Sequence, residues 1–288
     1  MNSSTIFDQR ELTQQDIDRL LPDRNPEGHK GNFGRLLLLC GSRGFTGAAY
    51  LASMGALRCG AGLVFLGVPE SIYAIEAVKL NEPVVFPLPE AEGKLSAQAI
   101  PAILERHPGM HAVLVGSGLG QSEGTLQVVR AVLENARCPV VLDADGINVL
   151  AAHKDILRGR TAPTILTPHE GEYLRFGGQR GEDKMASSAQ SALDWNVILV
   201  RKGHGTCITD GRRGYRNPTG NPGMAVGGSG DVLAGMIVGL LGQGIAPLEA
   251  AACAAWLHGR AGDLCAQEMG QYAMLPTDML QFLPRLLK

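Results

Sequence analysis

Gly227, Gly228, Ser229 and Gly230 stand directly before Asp231 and an apolar run, Val232 to Leu241. This is a bare glycine turn feeding a helix. The first N–H groups of a helix have no internal partner, and that end of the helix dipole is positive. Glycines let a phosphate approach those N–H groups closely. The N–H groups of Gly228, Ser229 and Gly230 are therefore candidates for an anion hole. Asp231 sits at its mouth. A carboxylate there repels a bound phosphate, which makes sense if a base is needed beside the phosphate. The plainer alternative is a tight turn followed by a first-turn acid. The loop before the turn, Asn217 to Gly223, holds two Asn-Pro steps with a glycine after each. Small residues in the helix behind it, Ala234, Gly235 and Gly239, favour a functional reading.

Five further clusters could do chemistry, each following a short apolar run. Gly41-Ser42-Arg43-Gly44-Phe45-Thr46-Gly47-Ala48 follows Arg35–Cys40. It has the strand, glycine turn, helix order of a dinucleotide fold, but its second glycine comes three positions after the first, not two. Gly116-Ser117-Gly118-Leu119-Gly120 follows His111–Gly116, and Asp143-Ala144-Asp145 ends Pro139–Asp143. Buried acids at a strand tip are costly unless paired or functional. Asp145 as the cap of a following short helix is the equal alternative. Thr167-Pro168-His169-Glu170-Gly171-Glu172 follows Thr164–Leu166. Thr167 reads as a helix cap, Pro168 as the first helical residue, and the acids as its first turn. That leaves His169, which is either a satisfied surface or core residue or, from its place at a strand tip on the ligand edge, a ligand contact. The basic glycine turn Arg201-Lys202-Gly203-His204-Gly205-Thr206 follows Val197–Val200 and suits a nucleotide phosphate.

The elements that must position these residues read as an α/β fold. Helices are expected at Leu12–Leu21, from Gly47 to Arg58, at 70–80, Ala97–Arg106, Glu123–Asn135, 182–195, Ser229–Gly242, Pro247–Glu268 and Pro276–Leu287. Short runs that are apolar throughout suit parallel strands buried on both faces. Leu63–Val68 is one more of these. Pro83–Leu88 reads as an edge strand, and Cys207–Thr209 with Tyr215–Asn217 as a hairpin around Asp210-Gly211. His29 to Gly34 reads as a surface turn. No repeat or linker divides the chain, so 1–288 is expected to be a single domain with helices on both faces of one sheet.

Composition excludes some classes. The chain has 288 residues, of which 45% are hydrophobic and 38 are glycine, enough for a full core with many tight turns. A formal charge of −2 and a pI near 6.4 give no electrostatic case for nucleic acid or an anionic membrane. The stretch Met1 to Gln15 has no apolar signal core, and no apolar run approaches the roughly 20 residues of a membrane span. The six cysteines form no Cys-x-x-Cys pair and sit mostly in apolar segments. A reducing, cytoplasmic setting without zinc or disulfides is expected.

Taken together and in this order, these motifs resemble the ribokinase-like family of ADP-dependent NAD(P)H-hydrate dehydratases. The pieces that carry the resemblance are Gly41-Ser42 with Gly47-Ala48-Ala49, Arg58-Cys59-Gly60-Ala61-Gly62-Leu63-Val64, Gly116 to Gly120, Leu142 to Asp145, Thr167 to Glu172, Lys202-Gly203 with Thr206, and Asn217 to Gly235. The resemblance implies a ribokinase-like fold with a central, mostly parallel sheet. It implies that Ala48, Gly118, His169 and Asp231 contact the hydrated dinucleotide. Lys202, Gly203, His204, Gly205, Thr206 and Gly230 would contact the adenine nucleotide, and Asp231 would be the base. ADP or ATP would serve as phosphoryl donor with Mg2+, which is expected to be held by phosphates, water and few side chains, not by a carboxylate cage. Homotetramers are common in the family. Many members are fused to an N-terminal epimerase, for which this chain has no room, so it resembles the stand-alone form working with a separate epimerase. Cys59 and Ser117 stand where relatives carry other small residues.

Three other functions compete. A small-molecule kinase of the same fold would use the same Asp231 and anion hole. A nucleotide-dependent dehydrogenase is disfavoured by the irregular 41–47 glycine spacing and by the lack of an acid at the usual distance for a ribose. A non-catalytic interaction protein predicts no stabilisation by nucleotide.

Overall fold

A computed structural model describes residues 8–287. Residues 1–7 and 288, including the first half of the stretch read for a signal core, lie outside the described residues. In chain order the strands are β1 (Asp8–Glu11), β2 (Arg35–Leu39), β3 (Leu63–Pro69), β4 (Val84–Leu88), β5 (Glu90–Ala91), β6 (Lys94–Leu95), β7 (Ala112–Val115), β8 (Val140–Leu142), β9 (Thr164–Leu166), β10 (Ile198–Arg201), β11 (Cys207–Thr209) and β12 (Arg213–Arg216). The helices are α1 (Gln14–Leu20), α2 (Thr46–Arg58), α3 (Glu70–Lys79), α4 (Ile100–Arg106), α5 (Glu123–Asn135), α6 (Asp145–Leu150), α7 (Glu170–Arg175), α8 (Lys184–Trp195), α9 (Ser229–Gly242), α10 (Pro247–Met269) and α11 (Pro276–Phe282).

Ten strands form one sheet in the order β1-β12-β11-β10-β9-β8-β7-β2-β3-β4. From β4 across to β10 every neighbouring pair is parallel. The four leucines of β2 show why an all-apolar run belongs there. Leu36 and Leu38 face the core under α2, α9 and α10, whereas Leu37 and Leu39 face the core under α4, α5 and α8. Successive strand residues point to opposite faces, so a strand covered on both sides needs no polar positions. The α/β fold with helices on both faces is thus as expected.

The chain runs outward from β2 to β4, then returns to the other side of β2 and runs outward again through β7, β8, β9 and β10. The reversal lies between β2 and β7. In open α/β sheets ligands bind beyond the carboxyl ends of the strands at such a reversal. Gly41 follows β2 there and donates its N–H to the Ser117 carbonyl after β7, at 2.8 Å.

Helix α9 reaches this edge because it packs on α2 almost backbone to backbone. A Cβ on Gly235 would run into the Ala52 carbonyl oxygen, and one on Gly55 would lie 2.6 Å from the Val232 oxygen. The small-residue pattern in both helices is what permits the approach, and it fixes the height of the α9 N-terminus over the sheet.

Some elements differ from expectation. β1 is a polar edge strand beside β12 and has no apolar alternation to betray it. The β5–β6 hairpin has strands of two residues, too short to show a pattern in the sequence. The terminal helix stops at Phe282 and continues as a tight turn over Leu283–Arg285, because Pro284 has no N–H to carry an α-helix further. The second hairpin strand begins at Arg213, earlier than expected, because Asp210 Oδ1 accepts the Arg212 and Arg213 N–H groups and tightens the turn. His29 to Gly34 is a single 3-10 turn capped by the His29 ring.

Candidate active site

Five strand tips meet the N-terminus of α9. The centre is Asp143, which follows β8 and is 1% exposed. Its Oδ1 accepts the Thr167 hydroxyl at 2.6 Å and the Lys202 ammonium at 3.0 Å, while its Oδ2 accepts the Ser117 hydroxyl at 2.9 Å. Ser117, Asp143, Thr167 and Lys202 follow β7, β8, β9 and β10, so one carboxylate ties together four adjacent parallel strands. A buried carboxylate demands such partners. The next residue, Ala144, has φ 46° and ψ −113°, a conformation costly for a residue with a Cβ. Such strain costs on the order of 1–3 kcal/mol and is concentrated at functional sites.

Asp231, in the first turn of α9, faces this cluster. Burial pushes its carboxyl up from 3.8 to about 7, and the Asp143 charge pushes the same way. Lys202 and the Ser117 hydroxyl pull it down without restoring an ordinary acidity. Lys202 is itself buried, which works against its charge. The acids Asp143, Glu172 and Asp231 outweigh that and hold its ammonium above the usual lysine range. Its Nζ lies 3.1 Å from where a Cβ on Gly230 would stand, so it points at the glycine turn.

The anion hole needs one revision. The Ser229 N–H donates to the Val226 carbonyl at 3.2 Å, closing the turn that starts the helix. Among the described residues, the N–H groups of Gly228, Gly230 and Asp231 have no carbonyl partner. The free donors are thus Gly228, Gly230 and Asp231, with Ser229 occupied. The Ser229 hydroxyl lies 3.3 Å from Nε2 of His258, a buried residue of α10 that burial drives down to about 4 and so keeps neutral. Sequence reasoning missed His258, because nothing local marks a histidine inside a long apolar helix.

The substrate-side residues fall into two groups. Ala48 and Gly118 touch: a Cβ on Gly118 would stand 2.7 Å from the Ala48 Cβ. Exposed Phe45 flanks them, with its own Cβ 3.1 Å from the same point. His169 stands at the β9 tip, but its ring is the cap of α7. Its Nδ1 accepts the Gly171 N–H at 3.0 Å, and Glu172 returns a bond to the His169 N–H at 2.8 Å. This corrects the Thr167 cap and the Pro168 helix start, since Thr167 is spent on Asp143 instead. The exposed Nε2 edge of His169 is 3.4 Å from Glu172. Asp145 is likewise not a cap. Its carboxylate accepts the Gly120 N–H at 2.8 Å and the Gln121 amide at 3.2 Å, pinning the glycine turn after β7.

The turn Gly203-His204-Gly205-Thr206 forms a separate, basic lip. The Thr206 hydroxyl bonds the Gly203 carbonyl at 2.9 Å. Lys184 of α8 donates to the His204 and Gly205 carbonyls at 3.2 and 3.3 Å, and Arg216 of β12 lies beside Gly205. Burial, with Arg201 and Arg216 nearby, presses the Lys184 ammonium downward. Lys184 and Arg216 come from distant segments, which is why sequence spacing did not reveal them.

Among the described residues no group of three or more His, Cys, Asp or Glu is placed to hold a metal ion. All six cysteines are free.

Comparisons with known proteins identify the family and the fold. A family model described as NAD(P)H-hydrate dehydratase matches residues 36–285. The chain is 36% identical to the ADP-dependent (S)-NAD(P)H-hydrate dehydratase of Bacillus subtilis, over 96% of this chain and 97% of that one. It is 44% identical to the bifunctional NAD(P)H-hydrate repair enzyme Nnr of Moorella thermoacetica, over 98% of this chain but 54% of that protein. The chain thus spans about half the length of the bifunctional relatives it matches. The crystal structure of the Bacillus subtilis ADP/ATP-dependent enzyme, co-crystallised with ATP and Mg2+, superposes with a TM-score of 0.83 at 32% identity, covering 96% of both chains. A ribokinase-like superfamily protein from Enterococcus faecalis superposes with a TM-score of 0.85 at 26% identity, over 99% of this chain and 96% of that one. By its fold, its site and its full-length similarity, the chain belongs to the NAD(P)H-hydrate dehydratase family.

Proposed function

We propose that the chain is an ADP-dependent dehydratase that returns the S epimer of NADH hydrate or NADPH hydrate to NAD(P)H, releasing AMP and phosphate. The observation that carries this reading is Asp231, a carboxylate titrating at about 7 beside free helix N–H groups. A base is most effective when its pKa lies near the working pH. Asp231 takes the proton of the ring hydroxyl as its oxygen attacks the β-phosphorus of ADP, and AMP leaves. The N–H groups of Gly228, Gly230 and Asp231, with the Lys202 ammonium, stabilise the charge on the transferring phosphoryl group. Phosphate is a far better leaving group than hydroxide. The ring nitrogen lone pair expels it, and loss of a proton from the neighbouring ring carbon restores the double bond.

Ala48 and Gly118 offer a flat seat for the hydrated nicotinamide, and His169 presents its Nε2 edge from the β9 tip. The 202–206 turn, backed by Lys184 and Arg216, receives the adenine nucleotide, together with Gly230. Magnesium would be held by the nucleotide phosphates and water with few side chains, and would supply charge neutralisation. ADP is the donor named for the Bacillus subtilis relative, and ATP is the alternative. A small-molecule kinase is not favoured by the relatives.

The remaining proposals rest on the family. They are a homotetramer, a cytoplasmic location consistent with the free cysteines, and a separate epimerase supplying the S epimer. Among the described residues no helix is long and apolar enough to cross a membrane. The single-domain reading of 1–288 is supported by the pairing of β1 with β12, which joins the two halves of the chain in one sheet. The test is incubation with ADP, magnesium and acid-hydrated NADH. Recovery of the reduced-nicotinamide absorbance is expected, and a stable phosphorylated product instead would overturn the reading.

A further inference from the structure

The proposed function leaves Asp143 without a task, although this buried acid accepts three side-chain hydrogen bonds. We propose that Asp143 is the positioning residue of the base. Held by Ser117 and Thr167, it fixes the Lys202 ammonium against the first turn of α9, so that Asp231 works beside an acid and a base of fixed position.

The geometry supports this in three ways. First, Asp143 is 1% exposed and both its oxygens are occupied by side chains, leaving it no free edge for substrate. Second, Lys202 has a single side-chain hydrogen-bond partner, Asp143, and its Nζ stands next to Gly230. The lysine is thus held on Asp143, beside the glycine that precedes Asp231. Third, the lysine backbone is pinned as well, because its N–H donates to the Pro168 carbonyl at 2.9 Å.

Every other group facing the base has a fixed or neutral character. The Ser117 hydroxyl comes from the tip of β7, and Asp145 opens α6 beside the same edge. Cys40, at the end of β2, is buried and held far toward its neutral thiol by burial and by the two aspartates. From α10, neutral His258 faces Ser229 and Lys202, and from α7 Glu172 faces Lys202. Asp143 and Lys202 are the two charges that act most strongly on Asp231, with opposite sign, and Asp145 adds a smaller effect in the direction of Asp143. Removing Asp143 leaves Lys202 unopposed and makes the base a stronger acid. Removing Lys202 leaves Asp143 unopposed and makes it a weaker one.

The experiment is the pH dependence of kcat/KM for the hydrate at saturating nucleotide. Asp143→Asn is expected to move the acid limb down by about one pH unit, and Lys202→Gln to move it up by a similar amount, since both interactions cross a buried site. Merely loosening the fold would not move the limb in opposite directions. Limbs that stay put, or that shift together, overturn the proposal. If Asp143→Asn does not fold, Lys202→Gln alone decides, by moving the limb up or failing to. If the wild type lacks dehydratase activity, the functional reading itself fails. Asp231 is then followed by the pH dependence of the stability difference between the wild type and Asp231→Asn, with and without Lys202→Gln. The midpoint of that dependence must still rise when the lysine is removed.

Discussion

Replacing Asp231 by asparagine separates function from stability. The wild-type carboxyl is raised from 3.8 to about 7 in the fold. Between these values the folded chain binds more protons than the unfolded one, so stability falls as pH rises through this window. A tenfold change in acidity corresponds to about 1.4 kcal/mol, so the full penalty reaches at most about 4 kcal/mol above pH 7. Asparagine carries no such penalty. It forfeits the attraction of a first-turn acid to the helix dipole, roughly 0.3–1 kcal/mol, and local relaxation lowers the gain further. A net gain of about 2 kcal/mol at pH 8 is expected, which for a chain of this size is a rise in Tm of roughly 4 °C. The assay is thermal denaturation of both proteins at pH 5 and pH 8, beside hydrate turnover. The advantage of the variant must grow from pH 5 to pH 8, while turnover falls by about 100-fold or more. A variant less stable at pH 8, or equally favoured at both pH values, would refute the burial argument. Near-normal turnover would refute the base.

Other outcomes follow from the same geometry. The wild-type kcat/KM for hydrate should fall about tenfold per pH unit below about 7, as Asp231 takes up its proton, and a flat profile down to pH 5 would contradict this. Gly118→Ala places a methyl 2.7 Å from the Ala48 Cβ at a residue with φ +65°. It should raise KM for the hydrate about tenfold, a cost of about 1.4 kcal/mol, while nucleotide binding measured by calorimetry is unchanged. Gly235→Ala forces α9 away from α2 and should cost about 1–3 kcal/mol in denaturant unfolding, with turnover reduced because the turn at 227–230 moves with the helix. ADP at a hundred times its Kd should stabilise the protein by about 2.7 kcal/mol. An absent thermal shift would remove the nucleotide site.

Strand tips and glycine turns were legible because their signals are local. Runs such as Leu36 to Leu39 can only be strands covered on both faces, and each was followed by its glycine or acid. Motif order carried the family, and with it Asp231. What failed were assignments that depend on competition for a partner. Thr167 is a good cap by type, but the buried Asp143 needs its hydroxyl more, so the cap passes to the His169 ring. Asp145 is also a good cap by type, but the Gly120 N–H and the Gln121 side-chain amide lie within its reach. The Ser229 N–H looked free until the turn closed on Val226.

By itself, then, the sequence determined the layering of the sheet, the placing of the turns and the identity of the acid at the head of α9. Alternation, turn chemistry and capping act over a few residues and can be read there. Only the tertiary structure decided what that acid is. Its neighbours Asp143 and Lys202 lie 88 and 29 positions away in the chain. They reach it because four parallel strands end at one edge and because glycines let α9 lie against α2. An acidity depends on burial and on the charges within a few ångströms, and neither exists until the chain is folded.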